Sequence, residues 1–275
     1  MQETKRNVTK ENDLQRIKEL RLMDDDFFSE ALDGKTEVVE YILNTVLERD
    51  DIKVKSTKAQ AEYKSATKRS IKLDIQAEDV NGRLMDIEIQ RSDRGSGVRR
   101  ARFHSSMIDR ALLSKGDDFE DLVDTYVIFI TEKDKFGMGI PLYHIERKIS
   151  EMDNALFGDG AHILYVNGEY RNLEHPVGSL MHDFNCKDAK DMVNPLLAEE
   201  VRYLKETEGG RSQMSRILEE MRNEEAEKAK AEGNHEKAVN TALKMIAKKY
   251  EAEEIAEITG LSLEEVRKLA ENQKG

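Results

Sequence analysis

Three polar side chains that could bind a cation and orient water lie close together in the sequence: Asp74, Glu88 and Gln90. Carboxylate oxygens are the ligands that Mg²⁺ and Mn²⁺ prefer, and an amide holds water through hydrogen bonds. All three belong to stretches in which polar and apolar residues alternate, a pattern that predicts two β-strands. Whether the carboxylates act together depends on how these strands pair.

The loop between the strands decides whether the two carboxylates share a face. A two-residue Asn81-Gly82 loop pairs Asp74 with Ile89 and puts the carboxylates on opposite faces. A three-residue loop, Val80-Asn81-Gly82, with the glycine in the left-handed conformation, pairs Asp74 with Glu88 and gives every apolar side chain an apolar partner. Because a one-residue slip would turn the whole apolar set outward, the pattern favours the three-residue loop.

Two carboxylates on opposed strand positions, with Cβ atoms about 5 Å apart, repel each other unless positive charge lies between them. A divalent cation removes this repulsion, and oxygen ligands with open positions for water and phosphate suit Mg²⁺ or Mn²⁺. A solvent-facing polar side of an edge hairpin fits the same pattern, so the hairpin alone leaves both interpretations open.

The elements around the hairpin predict an α/β core. Apolar residues at three- and four-residue spacing indicate an amphipathic helix that starts near Thr36, and a second helix is predicted from about Val98 to Lys115. Tyr126 to Thr131 reads as a buried strand and His162 to Val166 as a shorter one. From residue 196 onward, Glu, Lys, Arg and Ala dominate without proline, which predicts successive helices with breaks near Gly209-Gly210 and Gly233.

Composition excludes several classes of protein. The 275 residues include one cysteine, Cys186, which cannot form an internal disulfide, and three prolines. No stretch approaches the roughly 18 apolar residues that a membrane span needs, and the first ten residues lack the apolar segment of a signal peptide. A soluble, cytoplasmic protein with no membrane contact is therefore expected.

The formal net charge of −12 conceals two basic stretches that bracket the hairpin. Residues 52–72 carry seven basic side chains against one acid, and residues 91–115 carry seven against two. Taken alone, each stretch is most simply a solvated surface, but their position on either side of the carboxylates favours phosphate binding.

The hairpin and its surroundings also resemble a known family. Asp74, a short hairpin and Glu88-Ile89-Gln90 resemble the D…ExQ variant of the PD-(D/E)xK nuclease signature. Residues 20–205 resemble the recombination-promoting nuclease / putative transposase family. The blocks that carry the resemblance are FFSEALDGKTEVVEYILNTVL, IKLDIQAEDVNGRLMDIEIQ, RRARFHSSMIDRALLSKGDDFEDL and YVIFIT. Two later blocks, GDGAHILYVNGEY and LMHDFNCKDAKDM, are similar to the continuation in one bacterial branch of the family.

This resemblance implies a fold and an activity. The fold is a restriction-endonuclease-like core, a mixed central sheet flanked by helices, over residues 20–195, with a family-specific extension from about residue 141 and an α-helical C-terminal region over residues 196–275. The activity is metal-dependent DNA endonuclease activity associated with recombination or a mobile element. The alternative is a non-catalytic DNA-binding or regulatory protein of a mobile element that retains the nuclease fold.

The resemblance also assigns roles within the hairpin. Asp74 and Glu88 would hold Mg²⁺ or Mn²⁺, and Gln90 would position water. Gln90 stands where most such enzymes have lysine, and Lys72, beside it in the three-residue register, is a candidate for the missing positive charge. The opening helix supplies one more acid, for which Glu37 is favoured over Glu40.

The following helix is predicted to hold DNA. Arg100 matches an arginine of the family, and Arg99, Arg102 and Lys72 complete the predicted phosphate-binding set. His104 stands where tyrosine is usual, which leaves the role of this position open.

The end of the chain, residues 254–266, resembles a helix-turn-helix. Glu264 and Glu265 lie early in its second helix, where base-contacting residues would be needed, and the region from residue 196 has 18 acidic against 14 basic side chains. For this segment, a role in packing or in forming a homodimer is therefore favoured over sequence-specific DNA binding.

Overall fold

The computed structural model describes residues 2–63, 71–91 and 96–272. Its strands are β1 (Val54–Tyr63), β2 (Ile71–Asp79), β3 (Leu84–Gln90), β4 (Thr125–Thr131), β5 (Leu142–Ile145), β6 (Lys148–Ile149), β7 (Ala155–Leu156) and β8 (Ala161–Asn167). Its α-helices are α1 (Gln2–Glu19), α2 (Asp25–Leu32), α3 (Thr36–Val46), α4 (Val98–Leu112), α5 (Pro176–Asn185), α6 (Pro195–Glu206), α7 (Glu208–Ala247), α8 (Ala252–Thr259) and α9 (Leu263–Asn272).

Six of the described strands form one mixed sheet in the order β1-β2-β3-β4-β8-β5. β1, β2 and β3 are antiparallel neighbours, β3, β4 and β8 run parallel, and β5 is antiparallel to β8. Every residue of β4 is buried, as expected for a strand covered on both faces. The predicted mixed sheet flanked by helices is confirmed.

Several helices pack against the strands of the sheet. Ala101 and Ile108 of α4 share a buried cluster with Val127 and Phe129 of β4 and with Tyr165 of β8. α2 and α3 pack against β1, and α3 also packs against α5 and α6. α3 begins at Thr36, as the apolar spacing predicts, and α4 ends at Leu112, three residues before the predicted end.

The hairpin has the three-residue register. Ile75 pairs with Ile87, and the amide of Asp79 donates to the carbonyl of Arg83 at 3.1 Å. Gly82 has φ of +80°, a conformation that side chains disfavour. The prediction from the apolar alternation is therefore confirmed.

Two features of the chain differ from the sequence-based expectation. β1 lies within the first basic stretch, where no strand was expected, and pairs with β2 along its length. The predicted break at Gly233 is wrong, because α7 continues through it: one glycine costs a helix only about 1 kcal/mol, and its alanine and glutamate neighbours favour helix. The other break falls at Thr207, and Gly210 lets the start of α7 approach Tyr203, whose carbonyl oxygen would lie 2.1 Å from an added Cβ.

The chain divides into two compact units, residues 1–215 and 216–275. The helical region predicted from residue 196 begins with α6, which packs against α2 and α3 and so belongs to the first unit. No described helix is long and apolar enough to cross a membrane.

The second unit has its own small core. The buried members of this core are Ala242, Ile255, Leu261 and Val266. Gly260, at φ +73°, ends α8, and the Ser262 hydroxyl accepts from the amide of Glu265 at the start of α9. The predicted pair of helices around a glycine turn is confirmed.

Candidate active site

The carboxylates of Asp74 and Glu88 lie between the strands that carry them. Main-chain pairing of β2 with β3 runs to Ile75 and Ile87, and Asp74 and Glu88 are the next pair in the same register. Here the side chains take part: the amide of Asp74 donates to Glu88 Oε1 at 3.1 Å, and the amide of Ile89 donates to Asp74 Oδ2 at 2.9 Å. The sequence-predicted pair is thus brought together.

Both carboxylates are buried, and burial is the main cause of their abnormal titration. Desolvation, together with the charge of Glu88, raises the pKa of Asp74 from its ordinary 3.8 to about 9. Desolvation, together with the charge of Asp86, raises the pKa of Glu88 from 4.5 to about 8. Such shifts mark acids that disfavour their own charged form unless a cation neutralises them.

Asp86 and His104 lie directly behind Glu88. Asp86 is fully buried, His104 is 3% exposed, and the His104 Nδ1 atom lies 3.0 Å from Asp86 Oδ2 and 3.7 Å from Glu88 Oε1. The Asp86 Oδ1 atom has no hydrogen-bond partner among the described residues. Desolvation and the charge of Asp74 raise the pKa of Asp86 well above its usual range. The sequence signal for Asp86 was its place two residues before Glu88, on the same face of the strand.

Arg100 forms an ion pair with Glu88. Its Nη2 donates to Glu88 Oε2 at 2.7 Å, and its Nε donates to His104 Nε2 at 3.2 Å. The guanidinium carbon lies 5.8 Å from the centre of the Phe129 ring. The Arg100 side chain is 37% exposed, so it reaches from the buried carboxylate to the surface.

The acid that approaches Asp74 from a helix is Asp25, in the first turn of α2. Desolvation and the charge of Asp26 raise the pKa of Asp25, whereas Lys72, Arg100 and a hydrogen bond with Asp74 lower it. Sequence reasoning missed this residue, although the run Asp24-Asp25-Asp26 is a sign of a helix start.

Neither acid proposed from α3 joins the carboxylates. The Glu40 side chain accepts from Lys53 Nζ at 2.7 Å and from the amide of Val54 at 3.0 Å. Glu37 lines a surface cavity with Glu199 and Glu200. Glu37 and Glu40 lie away from Asp74 and Glu88 because α3, which begins one turn after α2 ends, packs against β1, α5 and α6. Of these two helices, α2 is the one that packs against β2 and β3.

The remaining residues predicted for the site lie at the end of β3, on β2 and on α4. Gln90 is half-buried at the end of β3, paired with Thr131, and Lys72 is exposed on β2. Arg99 and Arg102 are exposed on α4. Several basic residues of the two stretches, Lys64, Lys68, Arg69 and Arg94, lie outside the described residues.

The donor set suits a hard divalent cation. Asp74, Glu88 and Asp25 offer only carboxylate oxygens, and the charges of Glu88 and Asp25 add to desolvation in raising the pKa of Asp74, a repulsion that a bound cation would relieve. Mg²⁺ and Mn²⁺ prefer such ligands, so the residues fit the predicted metal.

Among the described residues, two groups have potential ligand atoms that all lie within 4.8 Å of one another: Asp86, Glu88 and His104, and His182, Asp183 and Cys186. The second group has a structural explanation. Both oxygens of Asp183 accept main-chain amides, from Val193 and Asn194, each at 2.7 Å. These bonds anchor the segment that leads into α6. The structural role predicted for His182 is consistent with this arrangement.

Comparison with protein families identifies the chain from its sequence. The model described as "PD-(D/E)XK nuclease family transposase" matches residues 26–174, more than half of the chain. Comparisons with curated proteins and with solved structures found no match. The matched segment contains the hairpin, α4, β4 and α2 from its second residue onward, so it includes Asp74 and Glu88, whereas Asp25 lies one residue before it. The chain therefore has a restriction-endonuclease-like α/β fold and belongs to the PD-(D/E)XK nuclease family transposases.

Proposed function

We propose that this protein is a metal-dependent DNA endonuclease that hydrolyses phosphodiester bonds, in the service of recombination or a mobile element. The observation that carries the proposal is the pair of buried carboxylates, Asp74 and Glu88, inserted between β2 and β3 with pKa values raised to about 9 and about 8. Buried acids with raised pKa values are concentrated at functional sites, and a cation between two neighbouring carboxylates would relieve their repulsion.

Asp74, Glu88 and Asp25 are the proposed ligands of Mg²⁺ or Mn²⁺, with Asp25 in the position first assigned to Glu37. When bound, the cation supplies Lewis acidity toward the phosphate and lowers the pKa of a nearby water. Gln90, at the end of β3, is proposed to orient the attacking water through its amide.

Positive charge toward the phosphate is assigned to Arg100, whose guanidinium reaches the surface beside Glu88. Arg99 and Arg102, exposed on the same helix, and Lys72, close enough to lower the pKa of Asp25, extend this charge for backbone contacts. Such contacts position DNA without reading its sequence.

Incubation of supercoiled plasmid with the purified protein tests the proposal. Nicking or linearisation is expected with Mg²⁺ or Mn²⁺ and none with EDTA. Asp74→Asn, Glu88→Gln and Asp25→Asn should each lose cleavage, whereas Glu37→Gln should retain it. Plasmid binding without cleavage at every Mg²⁺ and Mn²⁺ concentration would favour the alternative, a DNA-binding or regulatory protein of a mobile element.

A homodimer through the C-terminal helices is a further part of the proposal. Tyr250 and Ile258 of the second unit are 44% and 59% exposed, which gives this unit apolar surface. Sedimentation equilibrium should give twice the mass of 31.5 kDa. A monomer at all concentrations would contradict this part alone.

A further inference from the structure

A series of polar contacts connects the buried Asp86 carboxylate to Arg100. It begins at Asp86, passes through the two ring nitrogens of His104 and ends at the guanidinium, with separations of 3.0 Å and 3.2 Å. Asp86 and His104 are both buried, so water does not compete for these contacts.

The contact with Arg100 determines the state of the His104 ring. An Nε–H group of arginine only donates, so His104 Nε2 must accept and carries no proton. The ring proton then lies on Nδ1 and is donated to Asp86 Oδ2. Taken together, these two contacts match one neutral tautomer of His104, with the proton on Nδ1.

We propose that Asp86 and His104 are positioning residues that hold the guanidinium of Arg100 in register with Glu88 and with the phosphate of the DNA substrate. This assignment rests on the proposed nuclease function. It gives a role to Asp86 and His104, whose potential ligand atoms lie within 4.8 Å of that of Glu88 but which are not among the proposed cation ligands.

The physical advantage is preorganisation. A free arginine side chain has many rotamers, and ordering it when substrate binds costs free energy. Here its Nε is fixed by His104 and its Nη2 by Glu88, and the guanidinium lies against the Phe129 ring. His104 is itself held by Asp86 and packs 5.9 Å from Phe129, so the support is rigid.

Single-turnover cleavage in a double-mutant cycle tests this positioning role. His104→Phe keeps an aromatic ring but removes both contacts, and it should slow cleavage about tenfold or more, as should Arg100→Gln. Because His104 acts through Arg100, the double variant should be no more than about twofold slower than Arg100→Gln alone. His104→Gln, whose amide has both a donor and an acceptor, should recover part of the rate.

His144→Phe is the matched control, because His144 is exposed on β5. It should cleave at the rate of the parent protein. An equal loss from His104→Phe in the parent and in the Arg100→Gln background would overturn the proposal, since His104 would then act independently of Arg100.

Nitrogen-15 NMR of the imidazole and guanidinium groups provides a readout that does not require activity. His104 should carry its proton on Nδ1, and Arg100→Gln should shift the Nε2 resonance. A ring protonated at Nε2 would overturn the proposal even if His104→Phe fails to fold. If the parent protein cleaves no DNA but the NMR result holds, the nuclease function fails and the series of polar contacts stands as a structural element.

Discussion

At the scale of single residues, burying three neighbouring carboxyl groups costs free energy that the rest of the fold must offset. Asp74, Asp86 and Glu88 are all buried, and each has a raised pKa. Arg100 forms an ion pair with Glu88, whereas Asp74 accepts from the amide of Ile89 and hydrogen-bonds with Asp25. Functional sites commonly carry this kind of local cost, because groups arranged to bind a ligand are not arranged for stability.

The pH dependence of stability should reveal this cost in the presence of EDTA. From about pH 4 up to about pH 9 for Asp74 and about pH 8 for Glu88, the folded protein keeps protons that the unfolded chain has lost, so the contribution of these residues to stability falls as pH rises. Asp74→Asn should therefore raise the free energy of unfolding at pH 8 by roughly 1 to 2 kcal/mol and have little effect at pH 4. Urea denaturation at both pH values measures the difference.

Asp79 on the same hairpin provides a control of opposite sign. Although burial opposes it, the bonds from Arg83 hold the pKa of Asp79 below its usual range. Its contribution is present above the unfolded pKa and is lost as pH falls through the folded pKa. Asp79→Asn should destabilise the protein at pH 8, and a stabilising effect would show that the pKa assignments in the hairpin are wrong.

Cation binding should be coupled to proton release because the pKa values of Asp74 and Glu88 are raised. Because Asp74 and Glu88 hold protons up to about pH 9 and pH 8, a divalent cation must displace them. Mn²⁺ affinity should rise from pH 6 to pH 9, and calorimetry in buffers of different ionisation enthalpy should detect up to about two protons released. An affinity independent of pH would place the cation elsewhere.

At the scale of elements, the hairpin register decides whether the site exists. The turn from Asp79 closes with the amide of Gly82 donating to the carbonyl of Asp79 at 3.1 Å, and Gly82 then takes φ of +80°. This geometry sets Ile75 opposite Ile87, and therefore sets Asp74 next to Glu88. A change in the turn would propagate to the carboxylates.

Two glycine substitutions should have opposite effects on stability. Gly82→Ala forces a side chain into the left-handed region and should cost about 1 kcal/mol or more, with a loss of cleavage before global unfolding. Gly233→Ala lies inside α7 with open space around it and should stabilise that helix by about 0.5 to 1 kcal/mol. Thermal unfolding followed by circular dichroism separates them, and equal signs would contradict the assigned conformations.

The sequence predicts the hairpin and β4 because period-two alternation and continuous apolar runs are local signals. It does not predict Asp25, since only the packing of α2 against β2 and β3 brings that carboxylate to Asp74. β1 is not predicted because its segment resembles a solvated basic stretch. The ion pairs of Lys53 with Glu40 and of Lys55 with Glu78 join it to other elements, and a local sequence pattern does not reveal such pairs. Tertiary contacts of this kind lie beyond sequence periodicity.

At the scale of the whole molecule, a net charge of −12 coexists with the proposed binding of a polyanion. The basic side chains are not equivalent. Lys53, Lys55 and Arg91 form ion pairs with nearby carboxylates, whereas Arg99 and Arg102 are exposed on the helix that carries Arg100. DNA affinity should therefore depend on α4 more than on the count of positive residues.

The salt dependence of DNA binding tests this distribution of charge. Each phosphate contact contributes about 0.9 to the slope of log K against log salt, so Arg99→Gln with Arg102→Gln should lower the slope by about 1 to 2. The matched pair Lys53→Gln with Lys55→Gln removes the same formal charge from side chains already paired with Glu40 and Glu78, and it should leave the slope nearly unchanged. Fluorescence anisotropy between 50 and about 200 mM salt gives both slopes. If the lysine pair changes the slope as much as the arginine pair does, the DNA follows β1 and not α4.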